Sequence, residues 1–399
     1  MRVGIVTYWS SSDNYGQQLQ CFALQKYLRS LGHDAYLIKY MPTDHIPRWR
    51  KIARSIKYRL FVSDEQKRKI EKEQQLYDNN KLLNKKRGFE KFREKYLYST
   101  DIVYTNVKEL RANPPEADIY VCGSDQVWNN SLGDPDTAGW FLDFGKPNIK
   151  RIAYAASIGR ELEERELETF TRYLKHFDAI SVREQKAYAL CHKLGFSKAI
   201  VAIDPTLLLK STDYDIIKNE AANSSVAENP YVFVYILNIR TADEIYWNEF
   251  QTRIEKEGFS VRSVASSGYL PARDLLPKVH NEQATIPEWL GLIKYSEYVI
   301  TTSFHGVVFC LLYHKPFYAV LLHNEYSKGN DRIISLLEKL GLEKRIVSSN
   351  DDINSSSSSS NNNIDWLSVD EKIADEREKS IDFLISGMAQ DPPFKGGGI

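Results

Sequence analysis

At 399 residues the chain is longer than one hydrophobic core usually organises, so two domains are expected. Its 53 basic and 53 acidic residues cancel, leaving no global field of the kind that draws a protein onto nucleic acid. Cys21, Cys122, Cys191 and Cys310 form no CxxC pair and stand in apolar runs, which fits buried, reduced thiols of a cytosolic protein better than a disulfide framework or a zinc site.

The chain opens on a strand, "RVGIVTYW". No signal-peptide architecture precedes it and no apolar run is long enough to span a bilayer, so a cytoplasmic location is expected. The polar turn "SSSDNYGQQ" leads into a helix in which Leu19, Phe22, Ala23, Tyr27, Leu28 and Leu31 recur at helical spacing up to Gly32. "DAYLIKY" is the next strand, and strand, helix, strand is how a parallel α/β sheet begins. Residues 46–98 then change character: seventeen Lys/Arg stand against seven Asp/Glu over 48–95, with no strand-like run. This is read as a basic helical insertion. Within it, over 46–64, Trp49, Ile52, Ile56 and Leu60 fall near helical spacing among Arg50, Lys51, Arg54, Lys57 and Arg59. Such a helix either lies as a peripheral contact on an anionic membrane or packs as a solvated insertion, and the pattern leaves both open.

The α/β alternation resumes with "ADIYVCGSDQVWN", "KRIAYAASIG", a helix near 161–176, "FDAISVREQKAYALCHKLGF" and "AIVAIDPTLLL". A polar linker follows at 211–229. The second half repeats the scheme with "YVFVYIL", a helix over 242–257, "SVRSVAS", a helix over 286–295, "YVITT", a helix after His305, "KPFYAVLL" and "DRIISLLEKLGL". The expected organisation is an α/β domain over 1–210, a second over 230–345, a disordered low-complexity loop at 346–363 around "NSSSSSSNNN", and a helix and tail over 364–399. That last helix can pack on either domain.

Parallel sheets bind ligands outside the C-terminal ends of their strands, where helix N-termini point N–H groups outward. "VITTSFHGVVFC" interrupts an apolar run at such an end. Thr302 or Ser303 can cap the next helix, Gly306 permits close approach by a ligand or backbone, and His305 can donate to an anion or move a proton. The plainer alternative is a capping Ser303 and an interior His305. The turn at Asp13, Asn14 and Gly16 contains neither a P-loop nor GxGxxG, so no nucleotide fingerprint is present. Asp125 of "CGSDQVWN" can act as base or cap. Arg183 of "SVREQ" can fork onto a carboxylate or phosphate, or pair with Glu184 or Asp204. "SKGNDR" adds Lys328 and Arg332.

These turns resemble the polysaccharide pyruvyl transferase family. The segments are "DNYGQQLQCFALQKYL", "VCGSDQVWN", "YAASIG", "DAISVRE", "DPTLLL", "TTSFHGVVFCLLYHKPF" and "DRIISLLEKLGL", seven in family order over roughly residues 1–345 with the basic block left out. The resemblance implies two Rossmann-like domains in a GT-B-like arrangement, with the active site in the cleft between them. It implies transfer of pyruvate from phosphoenolpyruvate to a sugar of a capsule, exopolysaccharide or cell-wall polymer, lipid-linked in some members, as a ketal. By resemblance His305 is a phosphate ligand or proton donor, Arg183 a donor-anion contact, and Asp13, Asn14 and Gly16 an acceptor-side loop. Some members carry Arg where this chain has Ser303, and Lys328 or Arg332 is the expected substitute. The chemistry needs a general acid, for which His305 is the choice, and a general base, for which Asp13 or Asp125 is. No metal or other cofactor is called for. Two alternatives stay open: a nucleotide-sugar glycosyltransferase on the same architecture, and a non-catalytic sugar-binding protein.

Overall fold

The computed structural model describes residues 1–42, 81–218, 229–264, 275–324, 326–355 and 364–389, with isolated positions between 68 and 79. The amphipathic run expected over 46–64 therefore lies wholly outside the described residues.

β1 (Arg2–Val6), β2 (Asp34–Tyr40), β3 (Ser99–Tyr104), β4 (Ile119–Cys122), β5 (Lys150–Ala156), β6 (Ala179–Val182) and β7 (Ile200–Val201) form one sheet in the order β3-β2-β1-β4-β5-β6-β7. Every pairing in it is parallel. β4 and β5 are buried at every residue, as strands covered on both faces must be. β8 (Tyr231–Tyr235), β9 (Ser260–Val264), β10 (Asn281–Glu282), β11 (Val299–Thr301), β12 (Phe317–Val320) and β13 (Ile346–Val347) form the second, also all parallel, in the order β10-β9-β8-β11-β12-β13. Counted from its own first strand, each sheet winds three strands one way and the rest the other. That is the doubly wound, Rossmann-like topology, and each domain has one switch point, β1/β4 and β8/β11.

The longer helices are α1 (Tyr15–Ser30), α2 (Phe89–Tyr96), α3 (Glu164–Leu174), α4 (Gln185–Lys193), α5 (Trp247–Glu257), α6 (Ile286–Tyr295), α7 (Phe304–Leu312), α8 (Asn330–Leu340) and α9 (Trp366–Ala389). α2 belongs to the basic insertion and buries Phe89 and Phe92. No described helix is long and apolar enough to cross a membrane.

β3 ("STDIVY") starts directly after the basic insertion and is absent from the expected elements; it is an edge strand with Ile102 and Val103 exposed, so it lacks the buried periodicity that reveals a strand. Two expectations are corrected. The stretch assigned to a linker starts as packed structure, with Tyr214 and Ile217 buried in turns at Ser211–Tyr214 and Asp215–Lys218. The stretch assigned to a disordered loop begins with β13 and a helical turn at Asn350–Ser355; 356–363 lie outside the described residues.

One hydrophobic core runs through both domains, joining Leu19 and Leu28 of α1 to Phe233, Trp289, Val307 and Leu337 of the second half. Tyr15 is its pin. Its ring stacks on Trp289 at 5.1 Å and its hydroxyl donates to the Ala284 carbonyl at 2.7 Å. Tyr214 meets Phe309 edge-on at 5.0 Å. α9 straps the two halves together. Lys372 donates to Leu340 O beside the second domain, while the Ser380 hydroxyl accepts from Ile203 N–H and Met388 O accepts from Lys150 in the first.

Candidate active site

The two switch points face each other across the domain boundary. Between them lies a cavity of about 470 Å³. The loop after β1 brings Asn14 to it, the loop after β4 Asp125, the loop after β11 Thr302 and Ser303, and the start of α8 Asn330 and Arg332. The first turns of α7 and α8 both open on it, and the first N–H groups of a helix have no partner within the helix. Three cations (Arg160, Lys328, Arg332) and the His305 imidazole stand against a single carboxylate, Asp125, on its wall.

His305 sits in the first turn of α7 and is 7 % exposed. Ser303 caps that helix, accepting from Gly306 N–H at 3.2 Å. The imidazole is seated on the first domain: a Cβ on Gly16 would lie 2.1 Å from His305 Nδ1. On its other side Nε2 lies 3.5 Å from Asp204 Oδ2, without a hydrogen bond.

Asp204 is the hub behind the cavity. Its Oδ1 accepts from Thr206 N–H and Oγ1 at 3.0 and 2.7 Å; its Oδ2 accepts from Arg183 Nη1 at 2.7 Å and Ser124 Oγ at 3.1 Å. Burial pushes this carboxyl upward, but His305 and Arg183 outweigh it and hold it well below the usual range. Arg183 is the mirror case: burial disfavours its charge, and Asp204, Asp125 and Glu184 restore it and raise the pKa. At Arg332 the same three carboxylates do not make up for the loss of solvent. Burial, with Arg183 close by, lowers its pKa to about 10. The two guanidinium groups share one ring, lying 4.9 Å (Arg183) and 5.9 Å (Arg332) from the Phe304 centroid. Several buried atoms here have no hydrogen-bond partner: Arg183 Nε and Nη2, Arg332 Nε, His305 Nε2 and Glu184 Oε2. Unpaired buried polar groups are costly, so their clustering at the domain seam marks it as a candidate ligand site.

Asn14, Asp125, Ser303, His305, Lys328 and Arg332 come together on one cavity. Asp125 has φ +77°, a left-handed conformation unusual for a residue with a side chain, and its Oδ1 lies 3.8 Å from Arg183 Nη2. Asp13 does not line the cavity; its carboxylate accepts from the Ser11 hydroxyl at 2.7 Å. Gly16 is fully occupied in seating the imidazole. Arg183 lies behind Phe304, in a second layer. Gly306 makes room inside the fold, since a Cβ there would be 2.4 Å from Thr301 Oγ1. Sequence reasoning missed Asp204 as a partner of His305, and also Glu184, Arg160 and Phe304. The signal for Asp204 was its place in "DPTLLL", where it caps the turn at Pro205–Leu207.

A model of the polysaccharide pyruvyl transferase family matches residues 14–324, a span that carries every cavity residue except Tyr326, Lys328, Gly329, Asn330, Arg332 and Ile333. The chain belongs to the polysaccharide pyruvyl transferase family. Its class is thus a polysaccharide-modifying transferase. Among solved structures it is similar to Anabaena HepE in complex with UDP and glucose, with a TM-score of 0.51 and 10% identity over 97% of this chain and 100% of that one. Neisseria meningitidis UDP-GlcNAc 2-epimerase bound to UDP-GlcNAc gives a TM-score of 0.48 and 12% identity over 97% and 100%. At such identity the likeness to HepE is one of fold, a GT-B-like pair of Rossmann domains. A comparison with curated proteins finds no match. Among the described residues of this pyruvyl transferase family member, no three His, Cys, Asp or Glu side chains cluster as a metal would require.

Proposed function

We propose that the protein moves the pyruvyl group of phosphoenolpyruvate onto a sugar of a surface polysaccharide or its lipid-linked precursor, forming a ketal and releasing phosphate. The observation that carries this reading is the cationic, partly unsatisfied cavity at the facing switch points. A small dianion or trianion suits it: Arg332 and Lys328 supply charge, the N-termini of α7 and α8 supply N–H groups, and Arg183 polarises the ring between them. Arg332 and Lys328 also answer the missing arginine at Ser303.

The bookkeeping of the reaction fits these groups. The methylene carbon of the enol takes a proton and becomes a methyl, a role for His305. A sugar hydroxyl attacks the central carbon, the bond from that carbon to the phosphate oxygen breaks, and phosphate leaves with the electron pair. A second hydroxyl closes the ketal. Over a cycle one hydroxyl proton ends on the methyl and the other leaves with phosphate. Asp125, which lines the cavity, is the base this reading assigns to one of them.

The test is phosphate release from phosphoenolpyruvate in the presence of methyl hexopyranosides, with thermal-shift titration by phosphoenolpyruvate, UDP and GDP beside it. Release together with stabilisation by phosphoenolpyruvate is expected. His305→Ala should stay folded, bind the donor and lose at least about 10²-fold in kcat. Stabilisation by a nucleotide and not by phosphoenolpyruvate would turn the reading to a glycosyltransferase.

A further inference from the structure

Beside the donor cavity lies a second one of about 510 Å³, also between the domains. The two share a wall made of Gly159, Arg160, Lys328 and Arg332, so that whatever fills one meets whatever fills the other there. Their chemistry differs. The donor cavity is strongly cationic, whereas the second sets four cations against three carboxylates and adds an apolar floor of Ile158, Leu162, Ala187 and Leu190. A near-neutral wall with mixed polar groups and an apolar floor suits a neutral polyhydroxylated ring, whose C–H face lies on the floor and whose hydroxyls meet the charges.

Glu184 lines this cavity and is 5 % exposed. Its Oε1 is held by three donors: Ser157 Oγ at 3.0 Å, Ile158 N–H at 2.8 Å and Gly159 N–H at 3.4 Å. Its Oε2 has no hydrogen-bond partner among the described residues. One oxygen is thus clamped by the turn after β5 while the other is buried without a hydrogen bond. Leaving a carboxylate oxygen so is costly unless a ligand proton reaches it. Lys186 of α4 and Asp331 of α8, paired at 2.6 Å, close the cavity across the domain boundary.

We infer that this second cavity holds the acceptor sugar and that Glu184 Oε2 receives the proton of its attacking hydroxyl. The inference rests on the proposed pyruvyl transfer and deepens it. The hydroxyl O–H bond breaks toward Glu184, the freed electron pair forms the bond to the central carbon of the enol, and the methylene is protonated from the donor side. Asp125 serves the second hydroxyl. Glu184 returns its proton to solvent before the next turnover.

The experiment is steady-state phosphate release with methyl glycosides of glucose, galactose, mannose and N-acetylmannosamine, for the wild type, Glu184→Gln and Leu190→Trp. Glutamine keeps an oxygen for the three donors of the clamp and removes the base. It is expected to leave the thermal shift by phosphoenolpyruvate unchanged and to lower kcat about 10²- to 10⁴-fold. Leu190→Trp fills the floor and should raise the acceptor KM at least about tenfold with donor binding intact. An active wild type with Glu184→Gln within about twofold of it overturns the role of Glu184 and leaves the pyruvyl transfer standing. Loss of donor stabilisation in Glu184→Gln also overturns it, since the carboxylate would then serve only to hold the donor site. A wild type that neither gains stability from phosphoenolpyruvate nor releases phosphate with any of these sugars removes the transfer itself and this role with it.

Discussion

His305, the proposed proton donor, shows how much of a side chain's position is set by residues that have no chemistry of their own. The imidazole is carried by α7 but its seat, Gly16, is on α1 of the other domain. A methyl group at Gly16 would overlap Nδ1, and nothing about the backbone there compensates, so the ring must move. Gly16→Ala should keep phosphoenolpyruvate binding within a few-fold and lower kcat by about 10²-fold, the cost of roughly 1 Å of misplacement at a reacting centre. Equal turnover of the variant and the wild type would show that the ring tolerates displacement. The residue scale is also where sequence reading had most trouble. "DNYGQQ" and "SFHG" announce a polar turn and a missing side chain, but they do not say what fills the space. In both cases the neighbour is distant in the chain or hidden in the fold: His305 for Gly16, Thr301 for Gly306. Arg183 was legible as a cation with anionic partners, yet its actual layer, behind Phe304, depends on a ring contributed by the other domain.

Among the elements, α3 illustrates a local device that serves the site. Glu166 in its first turn accepts from Arg160 at 2.6 and 2.7 Å and from Glu163 N–H at 2.9 Å. The Arg160 hydrogen bonds are the main reason its pKa falls to about 2 from 4.5. A carboxyl depressed on folding stabilises the native state fully above its unfolded pKa and loses that contribution as pH falls toward the folded one. The urea midpoint of Glu166→Gln should therefore lie below that of the wild type near neutrality, and the gap should shrink from about pH 5 toward pH 3. A gap that does not change over this window would mean that the pair adds no pH-dependent stability. Because Arg160 stands on the wall shared by the two cavities, the same variant also frees a cation at the site. Long, periodic elements such as α1 and α6 were plain in the sequence, the latter with its Thr285–Glu288 capping box. β10 and β13 have two residues each and carry no period at all, and β3 hides because its apolar side chains face outward at an edge. Such strands exist because a neighbour offers a ladder, which local pattern does not record.

At the scale of the molecule, the two α/β halves and their order could be read from the alternation of strand and helix. The core that joins them could not, since its decisive contacts link positions far apart, Tyr15 with Trp289 and Tyr214 with Phe309. The same core, strapped by α9, makes separate unfolding of the halves unfavourable. One heat-absorption peak is expected in scanning calorimetry, with a van't Hoff enthalpy close to the calorimetric one. Two resolved peaks would show that the domains melt independently.

The aromatic seam has a meaning for recombination as well. A chimera that took its first half from this chain and its second from a relative would keep the stack under Tyr15 only if the relative set a flat ring at the position of Trp289. Exchange of whole lobes between such proteins is expected to succeed when Tyr15, Trp289, Tyr214 and Phe309 travel as a matched set.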